Sequence, residues 1–500
     1  MRAVVFVVLL LFGLPLASAQ PWVAQVKGAG FRLVRTSPDE DLVFLGGHQN
    51  GIGPEGDWDI AVVKTSPAGK ILWAKVFGGK KDDFGNGMVF DEDGNLYVVG
   101  TTYSFGAKYS GIWVLKLDPN GEMVWQYLID TNGIDEGKGI TYLNGHIYVL
   151  GTVPNPDTGI PDVLILKFTP DGKLVWAKIY GGGMGDNGED IVGTPDGKLV
   201  VAAYTQSFGA DIDGNVWVFE VDEDGKLLWQ KMVGGKKIDS PKGVAVTKDG
   251  RVIVVGTTRS FGVGGADSLI LIFDENGNLL LQKTTGTPKS DEWSSTVLTL
   301  GDGFITGANY LFRMTYDGRL LWARKFTVDS LAGMGNMMAF TGRIIGISGA
   351  VVIVGVLNPN DIPVLNWSGI TYWKPVSLTV MDSNATVINT QATVKSMDLT
   401  PIQTSATVGE LSLNFKMLWE EKPSSITNTS TPSSPSSSSS SQTSSSSPAE
   451  ISSTHSSATS TPSSVSPVAT SSTRTGKGGI CGPAFFIVLA LLPLLWRNKL

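Results

Sequence analysis

A tryptophan that returns every fifty-odd residues, each time four residues after a glycine, is the feature that most limits what this chain can become. Gly69 precedes Trp73, Gly121 Trp125, Gly172 Trp176, Gly225 Trp229 and Gly318 Trp322, with Gly277 and Leu281 as a degenerate copy. Trp22 matches the strand that follows each of these turns, and Val364, after Asn358-Pro359-Asn360, is a weaker last copy. The anchors at 22, 73, 125, 176, 229, 281, 322 and 364 lie 51, 52, 51, 53, 52, 41 and 42 residues apart. Seven intervals predict seven units, and self-similarity at this period marks a repeat architecture.

Within one unit, residues 87–90 and 96–100 read as two strands joined by the turn Asp91-Glu92-Asp93-Gly94-Asn95. A third strand follows at 112–117, and the turn Asp118-Pro119-Asn120-Gly121 leads to a fourth at 123–128. Four short strands per unit predict an all-β chain, a β-propeller whose blades pack face to face because neither face of a blade is viable alone. Seven blades are expected, with six or eight as the alternatives. The 61 glycines among 500 residues, well above the usual ~7%, agree with a turn-rich β chain. The propeller is expected over residues 20–368. Closure has two readings: the Trp22 strand completes the last blade, or residues 362–366 fill that place and leave the Trp22 strand spare. Residues 369–422 alternate like strands but leave the repeat, and read as a closing element, an eighth blade or a small separate β domain.

Gly78-Gly79, Asp83, Gly94-Asn95 and Leu117-Asp118-Pro119-Asn120-Gly121 carry a resemblance to the SBBP-type β-propeller repeats of bacteria and archaea. The likeness covers residues 22–326 well and 327–368 poorly. The Gly-x-x-x-Trp unit is also similar to the docking repeat of quinone-dependent dehydrogenases. Both resemblances imply a propeller, and only the second implies an enzyme, with a quinone cofactor.

The two ends read as addresses. Met1-Arg2, the apolar run 3–16 and Ala17-Ser18-Ala19 form the charged start, apolar centre and small-residue exit of a secretory signal, so residues 1–19 are expected to be removed. An uncleaved anchor is the alternative, and the apolar run is short of the ~20 residues that span a bilayer. Residues 423–478 are dominated by Ser, Thr and Pro, lack the apolar area to offset chain entropy, and read as a disordered stalk bearing O-linked sugar, with an unmodified flexible linker as the alternative. Residues 479–500 form a tail of Cys481-Gly482-Pro483, an apolar run at 484–496 and a basic end. The order of stalk, Cys-Gly-Pro, apolar run and basic end resembles the CGP-type C-terminal sorting signals of surface proteins in the Thermococcus group of archaea. That resemblance implies a processed tail with a lipid on Cys481; a short uncleaved anchor is the alternative. Under either, the protein is expected at the cell surface, held to the membrane by its C-terminus. Asn366, Asn384 and Asn428 head N-glycosylation acceptor triplets.

Without its two ends the chain loses Arg2, Arg497 and Lys499 from 39 basic residues and none of its 46 acidic ones, a net charge of −10. That balance argues against nucleic acid as a partner. One Cys excludes a disulfide framework and any multi-cysteine metal site, and three His leave little for paired-histidine chemistry. Chemistry could sit where the links from fourth to first strand and from second to third strand gather on one face. Asp83, Asp135, Asp186, Asp239 and Asp291 each fall ten residues after an anchor, which places all five on that long-loop face. They read either as a carboxylate ring for a hard cation or polyhydroxy ligand, or as caps on loop amides at blade junctions. Phe105, Phe208 and Phe261, each in a Ser-Phe-Gly triplet, share the face, as partner contacts or as plugs of their own loops. Asp91-x-Asp93-Gly94-Asn95 and Asp211-x-Asp213-Gly214-Asn215 resemble calcium loops faintly and lack the distant Glu of an EF-hand. No catalytic or metal residues are assigned and no cofactor is expected, calcium or a quinone being the exceptions considered. The chain reads as a surface binding module for a protein or glycan; the alternative is an envelope enzyme, quinone-dependent or carbohydrate-active.

Overall fold

The computed structural model describes residues 21–360 apart from 28, 50–56, 210–212 and 347–348, and beyond them 374–375, 379–382, 386–389, 393–397, 402–403, 407–410 and 414–420. The secretory signal, the stalk, the tail with Cys481, and Asn366, Asn384 and Asn428 lie outside the described residues.

Among the described residues, 35 strands form seven antiparallel sheets. The chain is an all-β, seven-bladed propeller. Blades 1 to 6 occupy residues 30–78, 83–129, 136–181, 186–234, 239–286 and 294–325. Blade 7 takes three strands from 327–357, and its fourth is Trp22–Lys27, paired with Gly349–Leu357. The ring is therefore closed by the N-terminal strand, and the shorter last two anchor intervals still yield complete blades.

Why the tryptophan recurs is visible at each seam. The residues at the turn between third and fourth strands of one blade lie against the anchor of the blade before it. Gly121, with φ +77°, sits against the Trp73 ring, whose indole N–H donates to the Pro119 carbonyl at 3.1 Å. Trp22 and Trp125 make the same bond to Pro67 at 2.8 Å and Pro170 at 3.1 Å. A Cβ on that glycine would meet the indole, so glycine serves both the positive φ and the close approach. The cores lie between blade faces: Leu150 and Ile165 of blade 3 pack with Val201, Trp217 and Phe219 of blade 4.

The strands within 374–420 form neither an eighth blade nor a separate sheet. Each adds a fifth, outermost strand to one blade. Lys374–Pro375 joins blade 6, Thr379–Asp382 blade 5, Thr386–Asn389 blade 4, Thr393–Ser396 blade 3, Ile402–Gln403 blade 2 and Thr407–Glu410 blade 1. Asn414–Glu420 ends on blade 7, along the N-terminal strand. This belt visits the blades in reverse order. Thr379, Thr386, Thr393 and Thr407 stand at multiples of seven residues, and each pairs with the glycine that closes a blade's fourth strand: Gly286, Gly234, Gly181 and Gly78. A seven-residue repeat in the belt is thus matched to a ~52-residue repeat in the ring. The belt also covers strand edges that would otherwise be open to other chains.

Candidate functional site

The long-loop face is built by a device that recurs from blade to blade. In blade 2 the Asp83 carboxylate accepts the Gly79 N–H at 2.8 Å, the Ser104 hydroxyl at 3.0 Å and the Thr102 hydroxyl. It thereby ties the link from the preceding blade to the loop between second and third strands. Asp186 repeats this with Gly182 at 2.8 Å and Ser207 at 2.6 Å, and Asp239 with Gly235 at 2.7 Å, Ser260 at 2.8 Å and Thr258. Asp135 accepts the Thr131 N–H and hydroxyl, both at 2.6 Å. All four are fully buried. Burial pushes the Asp83 and Asp135 carboxyls up to about 6, against the lowering pull of the same donors, and raises Asp186 as well.

The structure corrects the fifth member of the series. Asp291 is exposed and accepts the Ala266 N–H at 3.0 Å. Its neighbour Glu292 is buried and takes the recurring place, accepting the Thr287 N–H at 3.0 Å and hydroxyl at 2.8 Å. A glutamate reaches one methylene further, so the position in sequence slips by one. Four buried carboxylates and one exposed one make no open ring of oxygens; they brace the loops that form the face.

The phenylalanines turn back into their own blades. Phe105 sits 4.8 Å from Trp113 and Phe208 5.1 Å from Trp217, ring centre to ring centre, and Phe261 packs on the core between blades 4 and 5. A Cβ on Gly79, Gly182 or Gly235 would strike the serine and phenylalanine of its loop. The Gly-Gly, Asp and Ser-Phe of the repeat are one packed unit. With the loops pinned, Tyr103, Tyr109, Ile134, Met184, Ile238 and Trp293 remain exposed on this face.

In the Asp91-x-Asp93-Gly94-Asn95 turn, Asp91 accepts the N–H groups of Asp93 and Asn95 at 3.1 and 2.8 Å and the Tyr97 hydroxyl at 3.0 Å. Its oxygens serve the turn. Asp211 lies outside the described residues. Among the described residues no three His, Cys, Asp or Glu side chains are grouped to hold a metal ion.

A second ring went unread in the sequence. In every blade the innermost strand carries a β-bulge that leaves one residue unpaired: Arg32, Asn86, Lys138, Glu189, Lys242, Ser295 and Asp329. A bulge redirects the extra side chain, and six of these seven line an axial channel of about 460 Å³. The signal was available, since each bulged residue of blades 2 to 6 follows its buried acid by three. Lys242 pairs with Glu189 at 2.8 Å, Lys138 with Glu136 at 2.7 Å, and Asp329 with Arg343 at 2.6 Å.

Residues 72–106 match the family model of the SBBP beta-propeller repeat. They contain Trp73, Gly78-Gly79, Asp83 and Ser104-Phe105, the parts of the packed unit just described. No curated protein sequence matches the chain. Among solved structures, the chain is similar to the GH93 alpha-L-arabinofuranosidase of Fusarium graminearum, at 11% identity and TM-score 0.40 over 68% of this chain and 98% of that one. It is similar to polysaccharide lyase Uly1, at 11% identity and TM-score 0.42 over 63% and 88%. Drosophila Plexin A in complex with Semaphorin 1b matches at 9% identity and TM-score 0.39 over 68% and 86%.

Proposed function

We propose that the protein is exported, held at the cell surface by its C-terminus, and acts as a binding module whose long-loop face receives a protein or glycan partner. The observation that carries this reading is the contrast within that face. Loops braced by buried carboxylates hold six large apolar side chains out in water around a polar channel mouth. Apolar centres set among polar groups are the anatomy of a recognition surface. In this reading Asp83, Asp135, Asp186 and Asp239, with Phe105, Phe208 and Phe261, serve binding by fixing the loops. The secretory start, the Ser/Thr/Pro stalk and the Cys481-Gly482-Pro483 tail support the address, with sugar on the stalk and on Asn366, Asn384 and Asn428.

Immobilised full-length chain exposed to solubilised native envelope tests the binding. Changing Tyr103, Tyr109, Ile134 and Trp293 to Ser should reduce the captured partner at least about tenfold, since such anchors carry most of an interface's energy. Equal capture by this variant overturns the assignment of the face. The address is tested apart from it: Cys481→Ser should release the protein into the medium, and unchanged membrane retention would show that the apolar tail anchors it.

A further inference from the structure

Deeper in the axial channel two positions carry a charge where the other blades carry none. Gly87, Gly139 and Gly243, with Leu33, Thr296 and Ser330 in the remaining blades, stand where blade 4 has Asp190. Two residues further along the inner strand, Val89, Thr141, Val192, Leu298 and Ala332 stand where blade 1 has Arg35. Residues that build a blade recur from copy to copy. These two charges do not recur, and each interrupts a level of small or apolar side chains, so the blade does not need them.

Both are held in place by a neighbouring blade. Arg35 Nη1 donates to the Val34 carbonyl at 2.9 Å and to the Ser330 hydroxyl at 3.4 Å. Its Nε and Nη2 have no partner among the described residues, out of the five N–H donors a guanidinium carries. Asp190 accepts the Val244 N–H of blade 5 at 3.0 Å and the Ile191 N–H of its own strand at 2.9 Å. The two side chains feel each other's charge without forming an ion pair. Burial lowers the Arg35 guanidinium and raises the Asp190 carboxyl to about 6, so both charges are held at a desolvation cost. Opposite charges fixed on separate blades, with donor and acceptor capacity left over, are complementary to a molecule that bridges them.

We propose that the axial channel binds a small molecule with an oxyanion at one end, seated on Arg35, and hydroxyl or ammonium donors at the other, seated on Asp190. Sugar acids and amino acids share this chemistry. The cavity of about 460 Å³ is of small-molecule size. Lys138 and Lys242 also line the channel, each already paired with a glutamate, so Arg35 is the cation left to seat the oxyanion. The site is separate from the apolar contacts of the loop face and does not depend on them.

Calorimetric titration of the full chain with glucuronate, glutamate, sulfate and glucose tests the proposal. Glucuronate or glutamate should bind, sulfate more weakly, and glucose not at all; which acid binds tighter separates the two sources. Arg35→Gln should weaken the acid roughly ten- to a hundredfold, the span for hydrogen bonds to a charged group. Asp190→Asn keeps an acceptor for Val244 and removes the negative charge, so sulfate should gain and the acid's advantage over it should shrink. Should the Gln variant not fold, Arg35→Lys keeps the charge, and a loss of affinity is still expected because a point charge cannot replace the fork. No binding of either acid by the wild type, equal binding by a folded Arg35 variant, or an unchanged probe ranking in Asp190→Asn overturns it. The loop-face Ser variant should bind the acid as the wild type does, which keeps this test apart from that of the partner.

Discussion

The ring and the belt solve the same problem at different scales. A blade spans about fifty residues, contributes both faces to cores shared with its neighbours, and is recognisable from its own sequence. A belt strand spans two to seven residues. It contributes backbone pairing to an edge made elsewhere in the chain, at a register set by a blade's closing glycine. The blades are joined by side chains packed between them, and the belt strands pair with the blades along their main chains. The comparison teaches that closure here is twofold: the N-terminal strand completes blade 7, and the belt's last strand covers that strand in turn.

The largest test of this division is a chain that ends at Asn360. It exposes seven outer edges and uncovers the closing strand. At about 1 kcal/mol net per hydrogen bond the loss is on the order of 10 kcal/mol, comparable with the whole stability of many domains. Thermal unfolding should fall by tens of degrees, and size exclusion should show association through the open edges. A truncated chain that melts within a few degrees of the full one would make the belt a passive coat.

Next in size is a change where the two regions meet. Gly286 pairs with belt residue Thr379, and a Cβ there would run into the Asp267 carboxylate. Gly286→Ala should cost roughly 2–3 kcal/mol by overpacking. Gly301→Ala, where a Cβ meets nothing within 4 Å, should be neutral. Equal effects would mean that the belt register does not depend on that glycine.

Much of the ring was legible because its signals are local: a turn glycine and a tryptophan four residues apart, in five copies and one degenerate member. The acidic series was legible too, but one-letter spacing could not tell Asp291 from Glu292. The difference is a methylene of reach, visible only once the Thr287 amide is placed. The bulge ring was missed because its residues share no type; Arg32, Asn86 and Ser295 are alike only in backbone register. The belt was missed for a different reason. Thr-Val at 379, 386, 393 and 407 is a clear seven-residue repeat, but a four-residue strand predicts a partner only when its partner edge is known. Arg35 and Asp190 are likewise three blades apart in sequence and line one channel only once the ring is closed.

A smaller effect separates the regions by pH. Asp83 and Asp135 lie in the ring with folded pKa near 6, above the unfolded value of 3.8. Between those values the folded state binds more protons than the unfolded one, so stability falls as pH rises. The cost of the buried charges is present above pH 6 and relieved below it. The midpoint should therefore rise between pH 7.5 and pH 5, and the Asn360-truncated chain should keep that response, because these carboxyls owe nothing to the belt. Loss of the response in Asp83→Asn/Asp135→Asn would assign it to them, and a response that vanishes with the belt would place its source in the wrong region.

The smallest expected effect is the most discriminating. Replacing Thr393 and Val394 by Pro removes two successive backbone N–H groups from one belt strand, one of them directed at blade 3 because neighbouring residues point to opposite sides, and leaves blade 3 otherwise intact. Proline is tolerated on an edge strand and not within a sheet. Each belt strand is paired to its own blade, so the loss should stay with blade 3, about 1–2 kcal/mol, and lower the midpoint by only a few degrees. The same pair of prolines at Thr386 and Val387 should add an equal decrement, since the two strands share no partner. If instead the first pair already produces the whole loss seen on truncation at Asn360, the belt acts as one cooperative strap. Its seven strands would then be read as a single fastening rather than as seven independent additions.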